Sequence, residues 1–154
     1  MAQVKSDALV FYGATGDLAY KKIFPALHLM VKRGNLNSPI IGVARGDYDL
    51  EKLRARAKES IQKYGQYDEE SFGKFYNLLG FVGGDYTDTQ TFIRIREALG
   101  GAKNPTHYLA IPPVLFPKKT ILTYIKPYSY PYKHGVFPLR YQQNGTFFNK
   151  TPLF

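Results

Sequence analysis

Apolar positions along the chain alternate between short continuous runs and longer stretches with helical spacing. Ala8 to Tyr12 is an apolar run of strand length, and it empties into Gly13 and Gly16. An amphipathic pattern starts at once with Leu18, Ile23, Ala26, Leu27, Met30 and Val31, which predicts a helix to about Lys32. Arg33-Gly34-Asn35 supplies the basic residue and glycine of a helix C-terminus, and Pro25 inside the pattern predicts a kink or a break near Phe24. Pro39 to Ala44 is almost wholly apolar, as a parallel strand covered on both faces must be.

Asp49 then caps a predicted helix over 50–64, whose apolar stripe is Leu50, Leu53, Ala57 and Ile61. Gly65 stops it, and Asp68 opens another helix carrying Phe72, Phe75, Tyr76 and Leu79. A short strand follows over 79–82, then an Asp88-capped helix over 89–99 closed by Gly100-Gly101, then a fourth strand over 106–111 that runs into Pro112-Pro113. Strand, helix, strand, helix, helix, strand, helix, strand predicts an α/β fold: a Rossmann-like, doubly wound parallel sheet, left incomplete.

The first strand, turn and helix carry the candidate chemistry. A helix N-terminus offers unpaired N–H groups and about half a positive charge, so a pyrophosphate can rest there without a side chain to hold it. Gly13 would make the turn, Gly16 would admit the backbone to the phosphates, and Ala19 would take the third small position where helix meets strand. The spacing is Gly-x-x-Gly-x-x-Ala, with Thr15 in the middle. Such a glycine pair also occurs in ordinary strand-to-helix turns.

Arg45 ends the second strand, where an acid would take ribose hydroxyls and an arginine accommodates a 2′-phosphate. The residue favours NADP. Two rival readings stand beside it: Asp47 on the ribose with NAD as cofactor, and Arg45 as a solvated surface charge.

The wider text narrows this. Gly13 to Leu27, with Gly-Ala-Thr-Gly-Asp-Leu-Ala followed by basic residues and Phe24-Pro25, resembles the opening of the glucose-6-phosphate dehydrogenases. Ile41-Gly42-Val43-Ala44-Arg45, Gly83-Gly84-Asp85-Tyr86-Thr87-Asp88 and Tyr108-Leu109-Ala110-Ile111-Pro112-Pro113 continue the likeness in order, from about Asp7 to Phe116. The resemblance implies NADP-dependent oxidation of D-glucose 6-phosphate to the phospho-lactone, the opening of the oxidative pentose phosphate pathway. It implies that Gly13, Ala14, Thr15, Gly16, Asp17, Leu18, Ala19 and Tyr20 cradle the pyrophosphate with Lys21 and Lys22 adding charge. Arg45 would clamp the 2′-phosphate, Asp85 and Tyr86 would border the adenosine half, and Pro112 and Phe116 would lie toward the nicotinamide. Tyr20 departs from the basic residue usual there.

Composition sets the limits. The chain has 154 residues, suits one domain, and has no apolar run near the roughly 20 residues that span a membrane. No cysteine is present, which excludes disulfides, thiolate metal sites and thiol catalysis and suggests a cytoplasmic protein. The net charge of +9 invites a nucleic-acid reading, but through Phe116 fifteen basic residues face twelve acids, and the last 38 residues hold six basic residues and no acid. The excess belongs to the tail.

Residues 1–116 are therefore expected to form the NADP-binding domain, and 117–154 a tail unrelated to the family. That tail holds half of the prolines and nine aromatics, and Tyr128-Ser129-Tyr130-Pro131-Tyr132 within it has neither helical nor clean strand periodicity. A shifted reading frame would explain it; so would a basic, aromatic appendage that binds single-stranded nucleic acid by charge and stacking. Irregular packing is expected of it. The family's Glu-Lys-Pro-Phe-Gly and Asp-His-Tyr-Leu-Gly-Lys segments are absent, as is its catalytic histidine, so no catalytic residue is assigned. His107 is expected to be a packed strand residue, and His28 and His134 have no partner that sequence identifies. The expectation is a chain that binds NADP, engages glucose 6-phosphate only as part of a full-length relative, and touches neither membrane nor nucleic acid, with an oligomer as in the family. The alternatives are a non-catalytic nucleotide-binding module and a nucleic-acid binder.

Overall fold

The computed structural model describes residues 6–112 and the strand backbone of 139–142 and 146–149. Strands β1 (Ala8–Tyr12), β2 (Ile40–Ala44), β3 (Leu79–Gly83) and β4 (Pro105–Leu109) lie in the order β3-β2-β1-β4, all parallel. Helices α1 (Phe24–Lys32), α2 (Leu50–Tyr64) and α3 (Glu69–Leu78) and their partners form one buried layer with Phe11. Helix α4 (Thr89–Leu99) belongs to the other layer, with Val10 and Tyr12.

The division follows from strand geometry. Successive side chains of β1 point to opposite faces, so Leu9 and Phe11 meet α1–α3 while Ala8, Val10 and Tyr12 meet α4. The chain crosses from β3 over β2 and β1 to β4, which reverses the winding between β1 and β4; open α/β sheets bind ligands at the carboxyl ends of such a switch point. Asp49, Asp68 and Asp88 cap α2, α3 and α4 as expected, their carboxylates accepting from Lys52 N, Ser71 N and Gln90 N.

The first helix differs in its opening turn. Ala19–Ile23 is π-helical, and the Phe24 N–H reaches back to Ala19 O. Pro25 stands in the first turn of α1, where a missing N–H costs least, so the widened turn is where the predicted break falls.

Two strands extend the sheet past β4. β6 (Thr146–Asn149) pairs antiparallel with β4 at Leu109–Phe147, and β5 (Leu139–Gln142) pairs antiparallel with β6. Asn144-Gly145 between them is a hairpin signal in the sequence that periodicity alone passes over. The rest of the tail lies outside the described residues, and with it the expectation of irregular packing there. No helix among the described residues is long and apolar enough to cross a membrane.

Buried histidines couple this fold to pH. The His107 ring stacks on Tyr12, with Nδ1 3.2 Å from the Tyr12 hydroxyl, as expected of a packed strand residue. His28 Nε2 lies 2.8 Å from Ser71 Oγ, which donates to Asp68 at 2.6 Å; since that hydroxyl proton is used, Nε2 carries the ring's hydrogen. Burial pushes His107 down to about 4 and His28 below its usual value. The unfolded chain, with ordinary histidines near 6.5, takes up protons first on acidification. Stability is therefore expected to fall between pH 6.5 and about 4, in thermal melts across that range, and His107→Asn is expected to flatten the slope in part, with His28 and, toward pH 4, the depressed carboxyls of Asp68, Asp85 and Glu51 supplying the remainder.

Candidate nucleotide site

The turn after β1 is built against the end of β4. Gly13 has φ +86°, and a Cβ there would stand 2.2 Å from Ala110 O, so only glycine fits. Gly16 N donates to Gly13 O at 3.0 Å, and Tyr20 N to Gly16 O at 3.1 Å, which winds the chain from turn to helix. Ala14 and Ala19 are fully buried against Phe11 and Phe24. Gly16, Asp17 and Leu18 face solvent, and the helix opens at Gly16, whose carbonyl accepts from Tyr20 N–H and which has no side chain to cap the first turn. Its amides therefore meet no side chain of their own where an anion would rest.

Tyr86 locks this turn from beneath. The Gly13 N–H is shared between the Tyr86 hydroxyl at 2.9 Å and Val43 O at 2.8 Å, and the hydroxyl donates to Val43 O at 3.2 Å. Only 5% exposed, with burial pushing its hydroxyl pKa up, Tyr86 is an internal brace of the turn. Sequence reasoning placed the residue at the site without this role, because the contact spans 73 positions. Tyr86→Phe is expected to cost about 1 kcal/mol in denaturant unfolding, the net worth of a buried hydrogen bond, since Val43 O still accepts from Gly13 and Ala14.

Arg45 and Asp85 stand opposite one another at the ends of β2 and β3, just past the paired Ala44 and Gly83. Arg45 Nη1 lies 3.3 Å from Asp85 Oδ2, and its guanidinium sits 5.8 Å over the Tyr86 ring. Asp85 Oδ1 accepts from Thr87 N and Oγ1 at 2.7 and 2.6 Å. Those bonds, and then Arg45, hold its carboxyl below the usual range. Arg94 Nη2 donates to Gly83 O at 3.0 Å and brings a second guanidinium to this edge. Sequence reading missed it; its only signal was a basic residue one and a half turns past the Asp88 cap.

Other expected residues sit apart from this group. Tyr20 turns toward α2: its hydroxyl donates to Glu59 at 2.5 Å, Arg56 lies over its ring, and its carbonyl accepts from Ser60. Lys21 pairs with Asp17 at 3.0 Å. Lys22 lines a groove of about 930 Å³ on the α1 face, with Phe11, Met30, Leu36 and Tyr108. Thr15 lies within the turn, half-buried, and Pro112 is exposed just past Ile111 at the carboxyl edge. Phe116 lies outside the described residues. Among the described residues no cluster of acids and histidines could hold a metal.

The family model described as glucose-6-phosphate dehydrogenase, NAD binding domain, matches residues 10–130. The chain belongs to the glucose-6-phosphate dehydrogenase family. It is 40% identical over 111 residues to glucose-6-phosphate 1-dehydrogenase 1 of Mycobacterium tuberculosis, a match covering 72% of this chain and 24% of that protein. It is 31% identical over 132 residues to the Arabidopsis thaliana glucose-6-phosphate 1-dehydrogenase 5, cytoplasmic, over 76% of this chain and 26% of that one. The crystal structure of the Mycobacterium avium glucose-6-phosphate 1-dehydrogenase superimposes with TM-score 0.73 at 38% identity, covering 80% of this chain and 27% of its own. A glucose-6-phosphate dehydrogenase in complex with its substrate glucose 6-phosphate matches with TM-score 0.68 at 25% identity. The chain thus spans about a quarter of the length of these dehydrogenases, and it is their nucleotide-binding portion. The family match runs to residue 130, beyond Phe116, the last residue of the motif resemblance.

Proposed function

We propose that this chain is the NADP-holding part of a glucose-6-phosphate dehydrogenase, and that catalysis needs the remaining three quarters of the family's length. One observation supports the cofactor assignment above the others: Arg45 leans on the ring of Tyr86, whose hydroxyl braces Gly13. A guanidinium and a phosphate-accepting helix start are thereby tied to one scaffold.

The residues fit the group. The uncapped first turn, with glycine at 16 and alanines at 14 and 19, leaves backbone amides facing outward for a pyrophosphate. Gly13 contributes shape and no donor, because its N–H is spent on Tyr86 and Val43. Arg45 would hold the 2′-phosphate by paired charge-assisted hydrogen bonds. Pro112, at the open end of β4, would border the nicotinamide. When bound, NADP supplies the hydride acceptor. In the full-length enzyme that hydride would come from D-glucose 6-phosphate, in the first step of the oxidative pentose phosphate pathway. A cytoplasmic setting accords with the absence of cysteine.

Titration of NADP and NAD into the chain tests the assignment: tighter binding of NADP supports it, and equal or no binding of either refutes it. Following absorbance of the reduced cofactor with glucose 6-phosphate tests the division of labour. No turnover is expected from this chain, and turnover at a normal dehydrogenase rate would overturn that part of the proposal.

A further inference from the structure

Asp85 is an acid in a place where the proposed cofactor brings its extra negative charge. The β2–β3 register sets it against Arg45, because Gly84 N donates to Ala44 O at 3.0 Å and continues the ladder one step beyond the paired ends. Its Oδ1 is fastened by the Thr87 backbone and hydroxyl, so Oδ2 cannot swing away from the guanidinium. The pair is single-pronged at 3.3 Å and open to solvent, with Arg45 54% and Asp85 44% exposed at the side chain. A planar guanidinium has five donors, and this contact uses one edge.

We propose that Asp85 is a specificity-determining residue that competes with the cofactor's 2′-phosphate for Arg45, and so holds down the preference for NADP over NAD. The proposal rests on the nucleotide reading above. A phosphate taken by the other edge of the guanidinium stands on the order of 6 Å from the fixed carboxylate. Repulsion at that separation, at surface dielectric and physiological screening, amounts to about a threefold to tenfold loss of affinity. The carboxylate stays charged through the neutral range, since its proton affinity is already lowered by Thr87 and Arg45. A nucleotide without the 2′-phosphate meets no such penalty.

The test uses Asp85→Asn in the 154-residue chain, because the amide keeps an oxygen for the Thr87 bonds while removing the charge and the acceptor that face Arg45. Adenosine 2′,5′-bisphosphate, 5′-AMP, NADP and NAD are titrated calorimetrically into wild type and variant at low and high salt. The bisphosphate and NADP are expected to bind about threefold to tenfold more tightly to the variant, while AMP and NAD stay within about twofold. The gain is expected to shrink at high salt and to fall below about twofold when Arg45→Ala is added. Unchanged or weaker NADP binding, or an equal gain for AMP, overturns the inference. If wild type binds no nicotinamide nucleotide, the nucleotide reading fails and this one with it. If wild type binds NADP and Arg45→Ala selectively loses it while Asp85→Asn shifts nothing, this inference alone fails. Asp85→Ser, which also keeps an acceptor for Thr87 N–H, takes the place of an amide variant that fails to fold.

Discussion

Arg45→Ala is expected to weaken NADP binding by about 1–3 kcal/mol, some five- to 150-fold, and to leave NAD binding nearly unchanged. The asymmetry is the informative part. A guanidinium that meets a 2′-phosphate with paired hydrogen bonds contributes only when that phosphate is present. Loss of the fold is not a competing explanation of the result. Arg45 is more than half exposed and its ion pair with Asp85 is of the surface kind, worth about 0–1 kcal/mol to stability. Calorimetric titration of both cofactors, with a melting curve for each protein, separates the outcomes. Equal losses for NADP and NAD would mean that Arg45 supports the strand ends generally, and would return the cofactor to the readings with Asp47 on the ribose or with Arg45 as a surface charge.

Gly13→Ala has the largest expected effect on stability. A non-glycine residue in the left-handed region costs about 1–2 kcal/mol for the backbone alone. Here the added Cβ would also stand 2.2 Å from Ala110 O, 2.9 Å from Ala110 C and 3.1 Å from Ile111 Cγ2. The first two are main-chain atoms at the end of β4, tied to β1 by the bond from Ala110 N to Tyr12 O, so they cannot yield as a side chain would. The combined cost is expected to be about 3 kcal/mol or more, a large share of the ~5–15 kcal/mol that holds a domain of this size. Thermal unfolding followed by circular dichroism should show the midpoint down by roughly 6–12 °C or more. Gly73→Ala is the control: Gly73 lies on the exposed side of α3 with nothing within 4 Å of an added Cβ, and the change is expected to stabilise by about 0.5–1 kcal/mol. A small loss at Gly13 would mean that the turn tolerates another conformation, and that the close junction with β4 does not fix it.

The elements were legible because their signals are local. Asp49, Asp68 and Asp88 each precede a helix whose first orphan N–H groups they satisfy two or three residues later. Ile40 to Ala44 is buried throughout, the condition its unbroken apolar run announced. The glycine turn was equally local, a positive φ advertised by the residue type that tolerates it. His28 was opaque, because its partner Ser71 is 43 positions away on α3. Tyr20 shows the converse: chain position put it beside the phosphates, while packing against Glu59 and Arg56 of α2 turned its side chain away.

Residue order alone therefore determined the succession of strands and helices, the turn between the first two, and the family to which they belong. Each depends on backbone preferences and caps that act within a few residues. Tertiary structure decided how Tyr86 came to lie beneath Gly13, why Asp85 faces Arg45, and where the hairpin of β5 and β6 adds to the sheet. These are contacts between residues 38 to 73 positions apart, set by strand register and by the reversal of winding at β4. Their energies exist only once the sheet has brought the strand ends together.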